Sequence, residues 1–449
     1  MNQRLPMKLA GVALLCLLLM IPLTLIRGMI SERASYRAEA EASIAASWTS
    51  AQAIHGPVLV QPYRARVAVT TRDPEGRLRT STQEQLRHAY RPVDDLAIDG
   101  SVRTELRRRG IYAVPVYTAA LTFSGSMDVS DFALGGGEVE VLRLEQPYLA
   151  IALTDSRGLS NDPRLAWDGR EVAFEPGSGL AIGSPGIHVP VALDGNGSKP
   201  FRTTIALKGM ASLRFAPTGR QTRVALRSAW EDPSFDGRYL PEHRPAEDGG
   251  FNAVWAVSRF ASNVEAQLDA CASGHCAELS GNLFGVRFID AVDVYLQAER
   301  SVKYGLLFIV LNFVSFLLLE LLRKLPVHPI QYALVGAALA IFYLLLIALS
   351  EHVPFALAYA FSAAMCVGLL VLYLRHLFAS TRLALTYGGA AAALYGMLYV
   401  ILQSEDHALL MGSLLLFGAL ALVMFATRRI DWYETSRAPG APQPETVVG

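Results

Sequence analysis

Charge is scarce in this 449-residue chain. Only 18% of its residues are Asp, Glu, Lys or Arg, and 40 basic residues balance 40 acidic ones to a formal net charge of +0. That balance argues against a nucleic-acid partner or a strongly acidic substrate. Cysteine is scarce too: four in all, too few for a disulfide-stapled scaffold. The short templates of catalysis and nucleotide binding are missing altogether. There is no G-x-x-x-x-G-K-[ST], no H-E-x-x-H and no dinucleotide fingerprint. Gly158-Leu159-Ser160 comes nearest to a nucleophile elbow, but Asn161-Asp162 follows where the closing glycine belongs. His55, His88, His188 and His243 are scattered among turn residues and read as solvated rather than catalytic. No cofactor is implied, and the chain reads as non-enzymatic.

What the sequence does have is long apolar runs, gathered at its two ends. A spanning helix needs about 20 predominantly apolar residues. The first run, Leu9 to Ile26, is flanked by Arg4, Lys8 and Arg27. It is longer than a signal-peptide core and lacks a small-residue cleavage site after it, so it reads as an uncleaved anchor. Five more runs follow Arg300: Val302 to Leu322, Ile330 to Leu349, Pro354 to Leu374, Leu383 to Leu402, and Ala408 to Ala426. Loops holding Arg323-Lys324, Arg375 with Arg382, and Arg428-Arg429 alternate with loops 350–353 and 404–407, which contain no Lys or Arg. The positive-inside rule then puts both termini in the cytoplasm and the long middle segment outside it. The expected division is a tail and first span over 1–27, an extracytoplasmic domain over 28–301, a five-helix bundle over 302–427 and a cytoplasmic tail over 428–449.

The middle segment opens on Ser31 to about Ile54, rich in Ala and Glu and free of Pro and Gly. This predicts a helical stalk, stopped by Gly56-Pro57. Beyond it, short alternating runs predict strands: Val58-Leu59-Val60, Val67-Ala68-Val69, Val114 with Val116, and Leu121 with Phe123. Gly135-Gly136-Gly137, Asp168-Gly169 and Gly195-Asn196-Gly197 are turn signals. Ser212 to Ser228 reads as a hairpin turning at Pro217-Thr218-Gly219-Arg220. Strands at this spacing predict a β-rich domain built as an antiparallel sandwich. The faint likeness of Leu121–Gly125 to Leu207–Met210 is the sort that strand composition alone produces.

Cys271 and Cys276 enclose Ala-Ser-Gly-His in this polar middle. An oxidising compartment favours a disulfide between them. A metal site with His275 is the rival, but a structural zinc site needs four ligands and no second Cys or His pair lies nearby. Cys16 and Cys366 lie inside apolar runs and read as packing residues.

A family signature runs along nearly the whole chain. It comprises His55-Gly56-Pro57-Val58-Leu59-Val60 with Pro62-Tyr63, Gly110 to Tyr117, and Asp232-Pro233-Ser234-Phe235 with Gly237 and Leu240-Pro241. Gly250-Phe251 with Trp255 and Val257-Ser258 follow, then Glu299-Arg300-Ser301-Val302-Lys303-Tyr304-Gly305 and Val327-His328-Pro329-Ile330-Gln331-Tyr332. Ser350-Glu351-His352, Leu394-Tyr395-Gly396 and Arg428 to Tyr433 complete it. In order and spacing, these stretches resemble the CreD family of bacterial inner-membrane, cell-envelope integrity proteins. The resemblance implies a role at the envelope, with expression tied to a two-component regulator that answers cell-wall damage. It implies no catalytic residue.

The sharpest chemical feature is the pair of loops free of Lys and Arg. Glu351-His352 and Glu405-Asp406-His407 put three carboxylates and two imidazoles at one membrane surface. If the helices around them are neighbours, Glu351, His352, Glu405 and Asp406 could bind a divalent metal or relay protons. The plainer reading is that short outer loops need polar residues to remain in water. Glu320 is expected to pair with Arg323 and Lys324 one turn on, and Asn312, the one mid-membrane polar residue, to bond to another helix. Arg107-Arg108-Arg109 reads as a solvated run, with contact to anionic lipid or wall polymer as the functional rival. Two functions from different classes therefore stand. One is an envelope protein whose β-rich domain binds an envelope protein, glycan or lipid, and whose helices anchor it in the lipid bilayer or pass its state inward. The other is an ion or lipid transporter built around the rim carboxylates.

Overall fold

The structure, a computed structural model, describes residues 5–72, 78–129, 140–193, 197–246, 249–288, 294–323, 327–404 and 408–428. The chain divides into two compact units, Ala38–Ala291 and a second made of Met1–Arg37 with Val292–Gly449. Helix α1 (Leu5–Ser47) is one unbroken helix that serves both. At 43 residues it runs about 65 Å, roughly twice a hydrocarbon core.

The strands follow in chain order as β1 (Gln52–Arg72), β2 (Leu78–Arg91), β3 (Val93–Arg109), β4 (Tyr112–Asp128), β5 (Glu140–Leu144), β6 (Tyr148–Leu153), β7 (Arg164–Trp167), β8 (Arg170–Ala173), β9 (Glu175–Pro176) and β10 (Gly186–Pro190). Next come β11 (Ser198–Met210), β12 (Ser212–Phe215), β13 (Gly219–Ser228), β14 (Pro233–Gly237), β15 (Glu242–Pro245) and β16 (Phe251–Ser258). Helices α2 (Arg259–Ser262), α3 (Val264–Ala272) and α4 (Ala277–Gly281) then lead to β17 (Phe284–Phe288). They assemble into two sheets. One is ordered β14-β17-β12-β1-β6-β10-β9, with β2 and β5 pairing onto β1, and the other β15-β16-β13-β3-β4-β11-β7-β8.

The sheets face each other across one core. Alternation sends Leu149, Ile151 and Leu153 of β6 inward, with Phe215, Phe284 and Val286, against Ile98, Leu121, Phe123, Ile205, Val224 and Trp255 of the other sheet. Trp255 is fully buried, its ring 5.8 Å from Phe284 and 5.7 Å from Phe235. The opposite residues of β6, Ala150 and Ala152, join Val58 and Val60 on the outer face of the first sheet. There Val264, Leu268, Cys271 and Leu279 of α3 and α4 cover them. Cys271 and Cys276 form a disulfide across the α3–α4 turn.

The domain is thus β-rich and a sandwich, and the structure corrects several details. It is not wholly antiparallel, since β1 runs parallel to β12 and β3 parallel to β13. Ser212–Ser228 is no hairpin: β12 lies in one sheet and β13 in the other, so Ala216–Thr218 is a crossing between layers. A Pro-Thr-Gly turn reads the same in sequence whether the chain folds back or changes sheet. The stalk helix stops at Ser47, where Arg157 donates to the carbonyls of Ala45 and Ala46 at 3.2 and 2.8 Å and so satisfies two open helix-end acceptors. Asp155 holds Arg157 in place at 2.7 Å, and that guanidinium in turn pulls the Asp155 carboxyl below its usual range.

Gly56-Pro57 does not end a helix but lies within β1, joined by a cis bond at a register shift against β6. Gly56 takes φ +126°, and a Cβ there would sit 2.6 Å from the Ala150 carbonyl oxygen. Only glycine suits that spot. Asp168-Gly169 is the expected turn, joining β7 to β8 with positive φ at both residues. Gly135-Gly136-Gly137 and the Gly195-Asn196 pair lie outside the described residues. The two similar segments lie on paired strands but not opposite each other: Leu121 faces Ile205 and Leu207 faces Ala119 in the register of β4 and β11. Gly158-Leu159-Ser160 forms no elbow: it closes a short 3-10 turn, and the Ser160 hydroxyl donates to Ala206 at 3.0 Å.

In the other unit, α5 (Val294–Lys303) precedes α6 (Gly305–Arg323), α7 (Pro329–Ser350), α8 (Phe355–Leu377), α9 (Thr381–Gln403) and α10 (Ala408–Thr427). With α1, helices α6–α10 give six helices long and apolar enough to cross a membrane. The run expected from Val302 is divided at Tyr304, so that the span proper begins at Gly305. Leu19, Leu23, Ile26 and Ile30 form the buried stripe of α1 at helical spacing. Leu19 lies against Gly336 of α7, where an added Cβ would meet it at 2.4 Å.

His55 is the exception among the histidines expected to be solvated. It is 6% exposed, and neither ring nitrogen has a hydrogen-bond partner. Its register partner is Ala152, so it lies on the sheet face beneath α3 and α4. Burial lowers its pKa from 6.5 to about 4. Because the folded value is the lower one, the stability that a neutral His55 supplies is complete above pH 6.5. It is lost progressively as pH falls towards 4, by on the order of 3 kcal/mol. In thermal unfolding of the full-length protein, His55→Leu should flatten the pH dependence of the domain transition between pH 6.5 and 4. An unchanged slope would show that other groups set the acid sensitivity.

Candidate functional site

Two places in the helical unit gather polar side chains against an apolar background. The first is the end of α7. Glu351 caps that helix, and its side chain is only 9% exposed. Its Oε1 lies 3.5 Å from Nε of Arg33 on α1 and accepts from the Tyr295 hydroxyl of α5 at 3.4 Å. A second pair, Arg27 with Glu299 at 3.4 Å, also joins α1 to α5. Glu351 is therefore the meeting point of three helices. Two of them, α1 and α5, are the segments by which the chain enters and leaves the 38–291 unit.

This changes the reading of the rim. Of the four residues expected to cluster, Glu351 is turned inward to Arg33 and Tyr295, and His352 is exposed. Glu405 and Asp406 lie outside the described residues. Among the described residues no group of three or more His, Cys, Asp or Glu could hold a metal ion. Sequence spacing pointed to Glu351 through its loop neighbours. It missed Arg33 and Tyr295, which are more than fifty residues distant and whose helical positions carry no local signal.

The second place is the interior of the bundle. Glu320, 5% exposed, accepts a hydrogen bond from the Tyr332 hydroxyl of α7 at 2.7 Å. The carboxylate thus has a partner on the next helix, while Lys324, one of the two partners expected from sequence spacing, lies outside the described residues. Tyr332 is set in place by its own helix start. His328 accepts from the Ile330 amide, Gln331 accepts from the His328 amide at 2.9 Å, and Pro329 needs no donor in the first turn. Asn312 does not bond across helices as expected. Its Nδ2 donates to the Phe308 carbonyl one turn back at 2.9 Å. Gln403 donates to Tyr399, again within one helix, at 2.8 Å. Cys366 is fully enclosed, accepting from the Tyr395 hydroxyl at 3.1 Å and lying 3.3 Å from the Ala338 carbonyl. In the other unit, Arg107 stacks over Trp48 at 3.9 Å and pairs with Glu105, while Arg108 and Arg109 are exposed.

The stretches that carry the family resemblance fall on these places: Glu299 and Ser301 in α5, His328 to Tyr332 at the start of α7, Glu351 at its end, and Tyr395 in the interior of α9. A family profile described as Inner membrane protein CreD matches residues 4–433. The chain belongs to the CreD family. It is 34% identical over 427 residues to the Inner membrane protein CreD of Escherichia coli (strain K12), covering 94% of this chain and 92% of that protein. Membership and the six apolar helices together make it a multi-pass inner-membrane protein.

The Glu320–Tyr332 bond ties α6 to α7 in a setting that offers the carboxylate little water. Removing the hydroxyl in Tyr332→Phe should cost about 1–3 kcal/mol, the range for a buried hydrogen bond to a charged or strongly polar group. The check is the thermal midpoint of the detergent-solubilised protein, in which Glu320→Gln with Tyr332→Phe should cost less than the sum of the singles.

Proposed function

We propose that this CreD-family protein supports envelope integrity without catalysis. In this reading its β-rich domain lies outside the cytoplasm and binds an envelope component (protein, glycan or lipid). The helical bundle anchors the domain and receives its state. Both termini are cytoplasmic, as the Lys and Arg distribution among the short loops favours.

The observation that carries the proposal is the junction at Glu351. A domain joined to the membrane through α1 and α5 can report its load through those two segments, and Arg33 of one and Tyr295 of the other converge on one carboxylate at the end of α7. Displacing either segment changes what Glu351 is bonded to, and so changes the end of a helix at the centre of the bundle. The disulfide at Cys271–Cys276 accords with an oxidising location for the domain. The rival reading, an ion or lipid transporter built on the rim carboxylates, draws less on Glu351, whose carboxylate faces Arg33 and Tyr295.

The test is complementation of a deletion strain with altered sensitivity to wall-active antibiotics. Glu351→Arg and Arg33→Glu should each fail to complement while inserting at normal levels, and the double reversal should restore at least about half of the resistance by re-forming the pair in the opposite sense. Full complementation by both single variants would sink the coupling role. A protein lacking residues 55–288, which keeps α5 and Tyr295, should fail in either case if the domain is what binds.

A further inference from the structure

Among the described residues, four polar atoms in the cores of the spanning helices have no partner. One is the hydroxyl of Tyr387 on α9. The other three lie on helices that pack about one hydrogen bond. They are Oδ1 of Asn312 on α6, the hydroxyl of Tyr343 on α7 and the hydroxyl of Ser362 on α8. Each residue is 0% exposed. That bond runs from Tyr395 on α9 to Cys366 on α8. Ser362 lies one turn before Cys366. Asn312 lies one turn after Phe308, whose ring is 4.4 Å from Tyr395. Tyr343 stacks on Phe342 at 5.0 Å, and Phe342 in turn lies 4.6 Å from Tyr395. Three helices, α6, α7 and α8, thus each contribute an unpartnered polar side chain to the bundle that holds the Tyr395–Cys366 pair, well inside their spans.

Hydrocarbon cannot satisfy these groups, and an orphaned polar atom in such surroundings costs several kcal/mol. The chemistry of the set limits what could complete it. Asn312 Oδ1 can only accept, whereas the Tyr343 and Ser362 hydroxyls can donate. Water can donate to Asn312 Oδ1 and both donate to and accept from the two hydroxyls, and with no carboxylate beside them among the described residues to balance a cation's charge it is the guest that suits the set. Buried waters typically make two to four bonds to otherwise unsatisfied groups. A cleft of about 630 Å³ between α8 and α9, lined by Tyr359, Tyr395 and Tyr399 together with Ala360, Ala364 and Gly396, reaches Tyr395 itself.

We propose that Asn312, Tyr343 and Ser362 bind ordered water inside the helical bundle, so that the interior around Tyr395 and Cys366 is a hydrated polar pocket rather than a dry anchor. It is independent of the junction at Glu351.

The sign of a stability change decides between the two. In a dry core, deleting an orphaned hydroxyl removes a desolvation penalty and raises the melting midpoint; in a hydrated site it breaks bonds to water and lowers it. Tyr343→Phe and Ser362→Ala in the full-length protein should each lower the midpoint by roughly 2–4 °C. An unchanged or higher midpoint in both overturns the proposal. A second measurement leaves the site unaltered. In a Cys16→Ser background, Cys366 of the folded protein should react with 2-aminoethyl methanethiosulfonate, a small reagent that acts in water. Complete protection of Cys366 until the protein is denatured would overturn the hydrated pocket whatever the midpoints do.

Discussion

A bilayer core offers no hydrogen-bond partner, and the helical unit is arranged around that fact. Every backbone group within a span must be satisfied by its own helix, which is why the six apolar runs found among the described residues are helices. The same constraint decides how those side chains are used. Asn312, Ser315 and Thr427 turn back to carbonyls of their own helices, the cheapest solution available. Tyr332 with Glu320, and Tyr395 with Cys366, solve the problem across helices and thereby fix which helices are neighbours. A buried polar group in this bundle that cannot turn back to its own helix either specifies packing or is left for a guest.

The spans were legible because their signal is compositional. Twenty apolar residues between charged ends allow little else, and errors are confined to edges such as Tyr304, where α5 gives way to α6. Several strands were legible from alternation, and Leu121 and Phe123 lie in the core as their spacing requires. The layer each strand joins was not legible. β12 and β13 are three residues apart yet lie in different sheets, and β1 finds a parallel neighbour 160 residues along the chain. Alternation fixes which face of a strand is buried, but the partner is chosen by contacts remote in sequence. Gly56 shows the same limit. As a helix terminator and as a bulge residue pressed against Ala150 it reads identically, because both uses exploit the missing Cβ.

The candidate site was half visible. Glu351 stood out because a carboxylate beside a histidine in a short loop suggests a ligand set. Its actual partners, Arg33 and Tyr295, come from helices whose rotation relative to α7 cannot be deduced from composition. His55 was missed for the opposite reason. Flanked by Ile54 and Gly56-Pro57, it read as a turn residue and so as solvated, whereas a bulged central strand covered by α3 and α4 buries it. Local sequence records what a residue can do. Burial decides which of those capacities is expressed.

Strength separates the two carboxylates of the helical unit and suits them to different roles. Glu320 is bound at 2.7 Å by a buried hydroxyl, an interaction with the cost and rigidity of a structural tie. Glu351 is held at 3.4–3.5 Å by Tyr295 and by an Arg33 that is 44% exposed, and an ion pair with one partner in water is worth about 1 kcal/mol or less. A contact of that size is poor as a rivet. It is well matched to a switch, because a small differential load on α1 or α5 is enough to break it, whereas a tie of several kcal/mol would hold through any modest change in the domain. On the coupling reading, the weaker carboxylate is therefore the informative one, and the stronger one keeps the bundle intact while the weaker responds.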